Sequence, residues 1–196
     1  IPTARGSGVA GLEIVVDSHE RYAWKFEHQQ ATTVRRALRA GDYGVVDGDR
    51  VLAAVERKSL QDLVGTLTSG KMRYLLADLA ALPAAAVVVE DRYSSVFKLD
   101  RVRPAVVADS LGECHARFPT VPIVFCETRA LAQEWTYRFL AAALVHHGEE
   151  THVETEASDL PSAAPPSPAE VRAWARSQGL VVSDRGRISA EVLEAF

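Results

Sequence analysis

Along this chain, stretches of apolar residues repeat with two different periods, a pattern that predicts an α/β sandwich followed by a small helical module. An apolar run over 12–17 reads as a first strand, and 28–40 reads as a helix. Residues 43–47 and 51–58 read as a β-hairpin turned by Asp47-Gly48-Asp49. Ser59 to Leu67 and Lys71 to Leu82 carry apolar residues at helical spacing, and Ser59 and Asp62 are placed to cap the first of these helices. Asp62 is therefore assigned to the cap rather than to chemistry. A strand over 85–90, a helix over 104–117 begun by Pro104, a strand over 121–126 and a helix from Thr128 to about His147 complete the sandwich. Leu131, Trp135, Phe139, Leu140, Ala143 and Leu144 give that last helix a wide apolar face, most of which core packing explains.

The pattern then breaks. From Gly148 the sequence turns acidic, and Pro161 to Pro168 is a Pro/Ser/Ala run that reads as a semi-extended tether. The expected organisation is a domain over 11–148, a linker over 149–167 and a module over 168–196. Ser167-Pro168-Ala169-Glu170 has the form of a capping box with Pro at the first helical position, opening a helix to Gln178 that Gly179 stops. Ser189 opens a last helix to Phe196, and Trp174, Val171, Leu180, Ile188, Val192, Leu193 and Phe196 are the expected core of the module.

Composition alters this picture little. The 196 residues are 47% hydrophobic and 24% charged, enough for one core of about 140 residues. No apolar run approaches the ~20 residues of a membrane span, no signal peptide is seen, and the expected location is cytoplasmic. Ile rather than Met is the first residue, which leaves open whether this is a fragment of a longer chain. Cys114 and Cys126 lack metal-ligand spacing and read as free thiols. The net charge of −4 does not announce a nucleic-acid binder. Its distribution matters more: Glu149, Glu150, Glu154, Glu156 and Asp159 lie in one segment, whereas Arg35, Arg36, Arg39, Arg57, Lys58, Lys71 and Arg73 surround the region with the chemistry.

That region is Gly41-Asp42-Tyr43 followed by Val55-Glu56-Arg57-Lys58. Residues two apart on a strand share a face, so Glu56 and Lys58 project together while Arg57 points away. The hairpin brings Asp42, at the start of one strand, beside the end of the other. Two acids and a lysine then converge, a set suited to phosphodiester cleavage: carboxylates fix a divalent ion, and a cation orients water or offsets developing charge.

These residues resemble the XPF-type structure-specific endonucleases, a branch of the PD-(D/E)xK superfamily marked by GD, a gap, then ERK and an Asp. Gly41-Asp42, Glu56-Arg57-Lys58 and Asp62 match that pattern, as does an Asp-x-x-Glu pair at Asp17 and Glu20. Gly70-Lys71 and the strand ending in Glu90 continue the likeness over roughly 11–147. Arginine is common in the family where His19 and Lys71 stand, and a glutamine is common near Leu75. The resemblance implies a restriction-endonuclease-like central mixed sheet flanked by helices, a homodimer, and cleavage of branched or flapped DNA. It implies Mg²⁺ or Mn²⁺ held by Asp42, Glu56 and Asp17, with the Arg57 carbonyl as a further candidate ligand and Asp17 and Glu20 completing the acidic cluster through water or a second ion. Lys58 would position or activate water, and Arg57, Lys71 and Arg73 are candidate phosphate contacts. Members usually carry a tandem helix-hairpin-helix domain after the nuclease; here a different module stands in that place.

Val171 to Arg176, Arg185-Gly186-Arg187 and Ile188 to Val192 make that module, over 168–196, resemble the DNA-binding domain of the actinobacterial nucleoid-bridging, histone-like silencers, the Lsr family. An extended Arg-Gly-Arg enters a narrow A·T-rich minor groove, where the potential is most negative and glycine lets the backbone reach the floor. Nucleoid association is the expectation. An alternative is a catalytically silent DNA-binding scaffold, although a scaffold has no physical need for mutually repelling carboxylates. A restriction-like enzyme would need a base-reading surface that the sequence does not reveal. Replacing both Arg185 and Arg187 by Ala is expected to weaken binding to A·T-rich duplex, measured by fluorescence anisotropy, while DNA cleavage chemistry is retained.

Overall fold

The structure, a computed structural model, describes residues 5–159, 167–180, 182–183 and 188–195. The chain divides into two compact units between Glu150 and Thr151. In the first, strands β1 (Leu12–Asp17), β2 (Ala31–Arg36), β3 (Tyr43–Asp47), β4 (Arg50–Lys58), β5 (Ala84–Val89) and β6 (Ile123–Phe125) form one sheet in the order β2-β1-β3-β4-β5-β6. The pairs β1–β2, β4–β5 and β5–β6 are parallel, and β1–β3 and β3–β4 antiparallel, so the sheet is mixed as expected.

Helices α1 (Leu60–Thr68), α2 (Met72–Ala80) and α3 (Pro104–Arg117) cover one face and α4 (Arg129–Asp159) the other. Strand periodicity sorts the core between them. Ile14, Val16, Val55 and Val88 pack with Tyr137, Leu140 and Ala141 of α4. Ala54, Val87 and Val89 pack with Leu63, Met72, Leu76 and Leu111 of the other three helices. β5 is apolar throughout because both of its sides are covered. Alternation fails at Leu52 and Ala53, which lie in the same core, because the β3–β4 register shifts between Val45 and Val46 and leaves Leu52 as the extra residue of a bulge.

One expected element is corrected. The helix read over 28–40 is instead β2, pairing in parallel with β1 from Leu12↔Ala31 to Asp17↔Arg36. Val34 and Leu38 have helical spacing, but the β-branched run Thr32-Thr33-Val34 favours extended backbone, and the unpaired edge of β1 supplies a ladder for it. The last helix also runs further than expected: α4 continues to Asp159, because the acidic half of the anticipated linker is rich in Glu and holds no proline before Pro161. Both cysteines are free.

In the second unit, α5 (Pro168–Ser177) carries the expected capping box: Ser167 accepts from the Glu170 N–H and Glu170 accepts from the Ser167 N–H. α6 (Ala190–Ala195) follows, and Val171, Ala175 and Val192 form a small core with Trp174, Val182 and Ile188. Leu180 and Leu193, expected in that core, are 40% and 54% exposed, while Phe196 lies outside the described residues. Among the described residues, no helix is long and apolar enough to cross a membrane.

Buried Tyr43 anchors the α4 side of the sheet. It stacks on Trp24 at 4.4 Å between ring centroids, and its hydroxyl accepts the Trp24 N–H at 2.8 Å. Tyr43→Phe keeps the stack and orphans that N–H. It is expected to cost about 1–3 kcal/mol, read as a fall in Tm of roughly 2–4 °C per kcal/mol for a domain of this size.

Candidate active site

Asp42 is set by a turn that only glycine permits. Gly41 has φ +81°, and a Cβ there would lie 3.0 Å from the Ala54 Cβ and 3.2 Å from the Val55 carbonyl oxygen. The next residue is held on three sides. The Asp42 N–H donates to the Val55 carbonyl at 2.9 Å, its carbonyl accepts from the Asp17 N–H at 2.8 Å, and its Oδ2 accepts from the Arg57 N–H at 2.8 Å. Asp42 thereby joins the ends of β1 and β4.

On β4, Glu56 and Lys58 follow Ala54 on the sheet face covered by α1–α3, and Lys58 Nζ donates to Glu56 Oε1 at 2.6 Å, both side chains being 15% exposed. Burial pushes the Asp42 carboxyl up to about 7, with repulsion from Glu56 and Glu20 adding to the shift and the Arg57 N–H and Lys58 opposing it. The hairpin logic thus brings Asp42, Glu56 and Lys58 into one electrostatic neighbourhood, with Glu20 at its edge.

Asp17 is engaged differently. Its Oδ2 accepts the His19 N–H at 2.9 Å and lies 3.1 Å from His19 Nδ1, while its Oδ1 accepts the Leu38 N–H at 2.9 Å. Burial raises its pKa, but these hydrogen bonds outweigh that and leave it below the usual carboxylate range. Asp17 therefore shapes the turn after β1 rather than leaning toward Glu56. Glu20 Oε1 accepts the Tyr22 N–H at 2.6 Å and sits 3.6 Å from Arg57.

Arg57 points to the opposite face, as its position between Glu56 and Lys58 requires. Its guanidinium grips Glu90 at 2.9 and 3.1 Å and lies over the Trp24 ring. Glu90, which sequence reasoning noted only as a strand-end acid, also accepts from Trp24 Nε1 at 2.6 Å and from Arg129 at 3.3 Å. Burial raises Glu90, and the Arg57 and Trp24 hydrogen bonds more than reverse this, leaving its pKa lowered. The Arg57 side chain thus serves this network, while its backbone N–H holds Asp42. Lys71 is exposed at the N-cap position of α2, where its side chain makes no capping hydrogen bond, and Arg73 lies over the Tyr74 ring at 4.7 Å. Arg185, Gly186 and Arg187 lie outside the described residues.

Among the described residues, no three His, Cys, Asp or Glu side chains gather closely enough to hold an ion by themselves. Two carboxylates with free oxygens do converge, since Asp42 Oδ1 and Glu56 Oε2 have no hydrogen-bond partner among the described residues. All the available donors are oxygens. That fits Mg²⁺ or Mn²⁺, which take one or two carboxylates and leave other positions to water and phosphate.

A sheet with these acids at one end, joined to a capped helical unit, has the architecture of a nuclease linked to a DNA-binding module. The chain belongs to the ERCC4 domain family, whose model matches residues 16–139. The Lsr2 DNA-binding domain matches residues 163–196, so an endonuclease domain that acts on DNA is joined to a DNA-binding domain, as the resemblances implied. Among solved structures, XPF from Aeropyrum pernix is similar at a TM-score of 0.56 and 17% identity, covering 78% of this chain and 75% of that one. XPF from Aeropyrum pernix in complex with DNA is similar at a TM-score of 0.51 and 17% identity, covering 87% and 76%. No curated protein matches the chain.

The raised Asp42 pKa has a defined sign. The folded state binds its proton more tightly than the unfolded state, so the group's penalty to stability appears as pH rises from about 4 toward 7 and is complete above about 7. Asp42→Asn keeps an acceptor for the Arg57 N–H and removes the charge. In metal-free buffer it is expected to raise Tm at pH 8 by ~2–4 °C for each kcal/mol relieved and to raise it less at pH 5, as checked by thermal melts at both pH values.

Proposed function

We propose that this chain is a metal-dependent DNA endonuclease that cuts branched or flapped DNA, aided by an A·T-preferring minor-groove module. The observation that supports it best is a half-buried Asp42 in the field of Glu56, whose repulsion helps to raise the Asp42 carboxyl and which a bound divalent cation would relieve. Asp42 and Glu56 would hold Mg²⁺ or Mn²⁺, with the Arg57 carbonyl a further candidate ligand. When bound, the ion lowers the pKa of water and neutralises phosphate charge. Lys58, anchored on Glu56, keeps an ammonium beside the phosphate and orients the attacking water. Arg57 and Glu90 hold the end of β4 from the other face, and Asp17 and Glu20 shape the loop that borders the acids. Lys71 and Arg73 are exposed cations for the phosphate backbone, and Arg185-Gly186-Arg187 the groove-reading segment.

Preference for branched DNA is supported by the family membership and by the match of Gly41-Asp42 and Glu56-Arg57-Lys58 to the structure-specific nuclease pattern. A homodimer through the nuclease domain is supported by α4, where Leu131 is 44% exposed next to the stacked, half-buried Trp135 and Phe139. Nucleoid association follows from the DNA-binding module.

Labelled flap, fork, single-stranded and duplex DNA, incubated with Mg²⁺, Mn²⁺ or EDTA, test this reading. Metal-dependent cutting is expected, and Asp42→Ala or Glu56→Ala should abolish it while DNA binding survives. Mg²⁺ should also raise the wild-type Tm more at pH 8 than at pH 6, since the proton on Asp42 competes with the ion. Cleavage that persists in both variants would remove the site. No cutting under any metal, with tight A·T-rich binding, would favour the silent scaffold.

A further inference from the structure

On the α4 face, across the sheet end from Glu56 and Lys58, a cleft of about 690 Å³ is lined by five cations, Arg21, Lys25, Arg35, Arg57 and Arg129, and by Tyr22. No carboxylate is among its lining residues. Glu90 and Glu20 offset Arg57 and Arg129, and exposed Glu27 lies 3.5 Å from Lys25. Two charges are left over. Arg35 bonds only to the Ser18 and Glu20 carbonyls, which do not cancel its charge, and Arg21 makes no hydrogen bond or ion pair among the described residues. A concave surface with excess positive charge concentrates polyanions.

Tyr22 adds a second kind of recognition. The residue is 75% exposed, yet its backbone is pinned on both sides: the N–H donates to Glu20 Oε1 at 2.6 Å and the carbonyl accepts from Arg129 at 2.6 Å. An exposed aromatic ring on an anchored backbone, beside cations, can stack an unpaired base while its phosphates are held. A cleft of this volume admits groups of nucleotide size, and bases paired inside a duplex would not reach the ring. Arg57, which lines the cleft, adjoins both Glu56 and Lys58 along β4, only about 3.3 Å of strand rise away.

We propose that this cleft holds a single-stranded DNA segment leaving the acidic site, with its phosphates on Arg21, Lys25 and Arg35 and a base stacked on Tyr22. The identity of the ligand rests on the DNA endonuclease reading. In the full chain, with EDTA present, anisotropy of a labelled oligothymidine is expected to show about tenfold weaker binding for Tyr22→Ala, the loss of one stacked base. Arg21→Ala with Lys25→Ala should make the salt slope of log K shallower by about 1.4, and Arg21→Glu should weaken binding further. Affinity for A·T-rich duplex should hold in every variant, with unchanged Tm as the check on folding. Unchanged oligothymidine affinity overturns the proposal, and so does an equal loss on duplex and single strand. Wild-type cleavage with Mg²⁺, assayed separately, reports on the nuclease reading; a Tyr22-dependent affinity without any cleavage would sink the enzyme and leave the cleft standing.

Discussion

The candidate site depends on the way Asp42 is built into the sheet. Its N–H, its carbonyl and its carboxylate are each hydrogen-bonded to backbone of β1 or β4, so the acid is positioned by the ladder rather than by a mobile loop. Groups meant to bind an ion and a phosphate together must be held to within a fraction of an ångström, and strand ends provide that stiffness. The cost is burial beside other acids, which drives the Asp42 carboxyl up to about 7. Gly41 carries the conformational share of the same constraint, through its left-handed backbone and its closeness to Val55.

From that point the period of two along β4 divides the charges by sheet face. Glu56 and Lys58 pair on one side, and Arg57 reaches Glu90, Glu20 and Trp24 on the other. The two faces meet in one residue, because the Arg57 N–H holds Asp42 while its side chain is clamped from behind. The clamp ties in β5 through Glu90 and α4 through Arg129, so the geometry of the acids depends on both layers of the sandwich.

Much of this was legible in the sequence because it is local. Asp47-Gly48-Asp49 turns the hairpin, the alternation in Val55-Glu56-Arg57-Lys58 sets the faces, and Ser167 with Glu170 closes its box over a single helical turn. β2 was misread as a helix because Val34 and Leu38 share helical spacing, and only the free edge of β1 decides between two conformations that a short segment can adopt. Glu90 was visible as an acid ending an apolar strand, but its partners Arg57 and Trp24 lie 33 and 66 residues away. The engagement of Asp17 with Leu38, 21 residues on, was likewise out of reach.

The sequence by itself determined the motif acids, the hairpin, the helix caps and the presence of two modules, because each is encoded within a few residues by turn chemistry, capping or side-chain period. Tertiary structure alone decided which carboxylates face one another, which cation stays with which acid, and that a basic cleft with an exposed Tyr22 lies behind the site. Those properties arise from the order in which strands pair and from the burial that strengthens charge interactions, and neither is a property of any short stretch of chain.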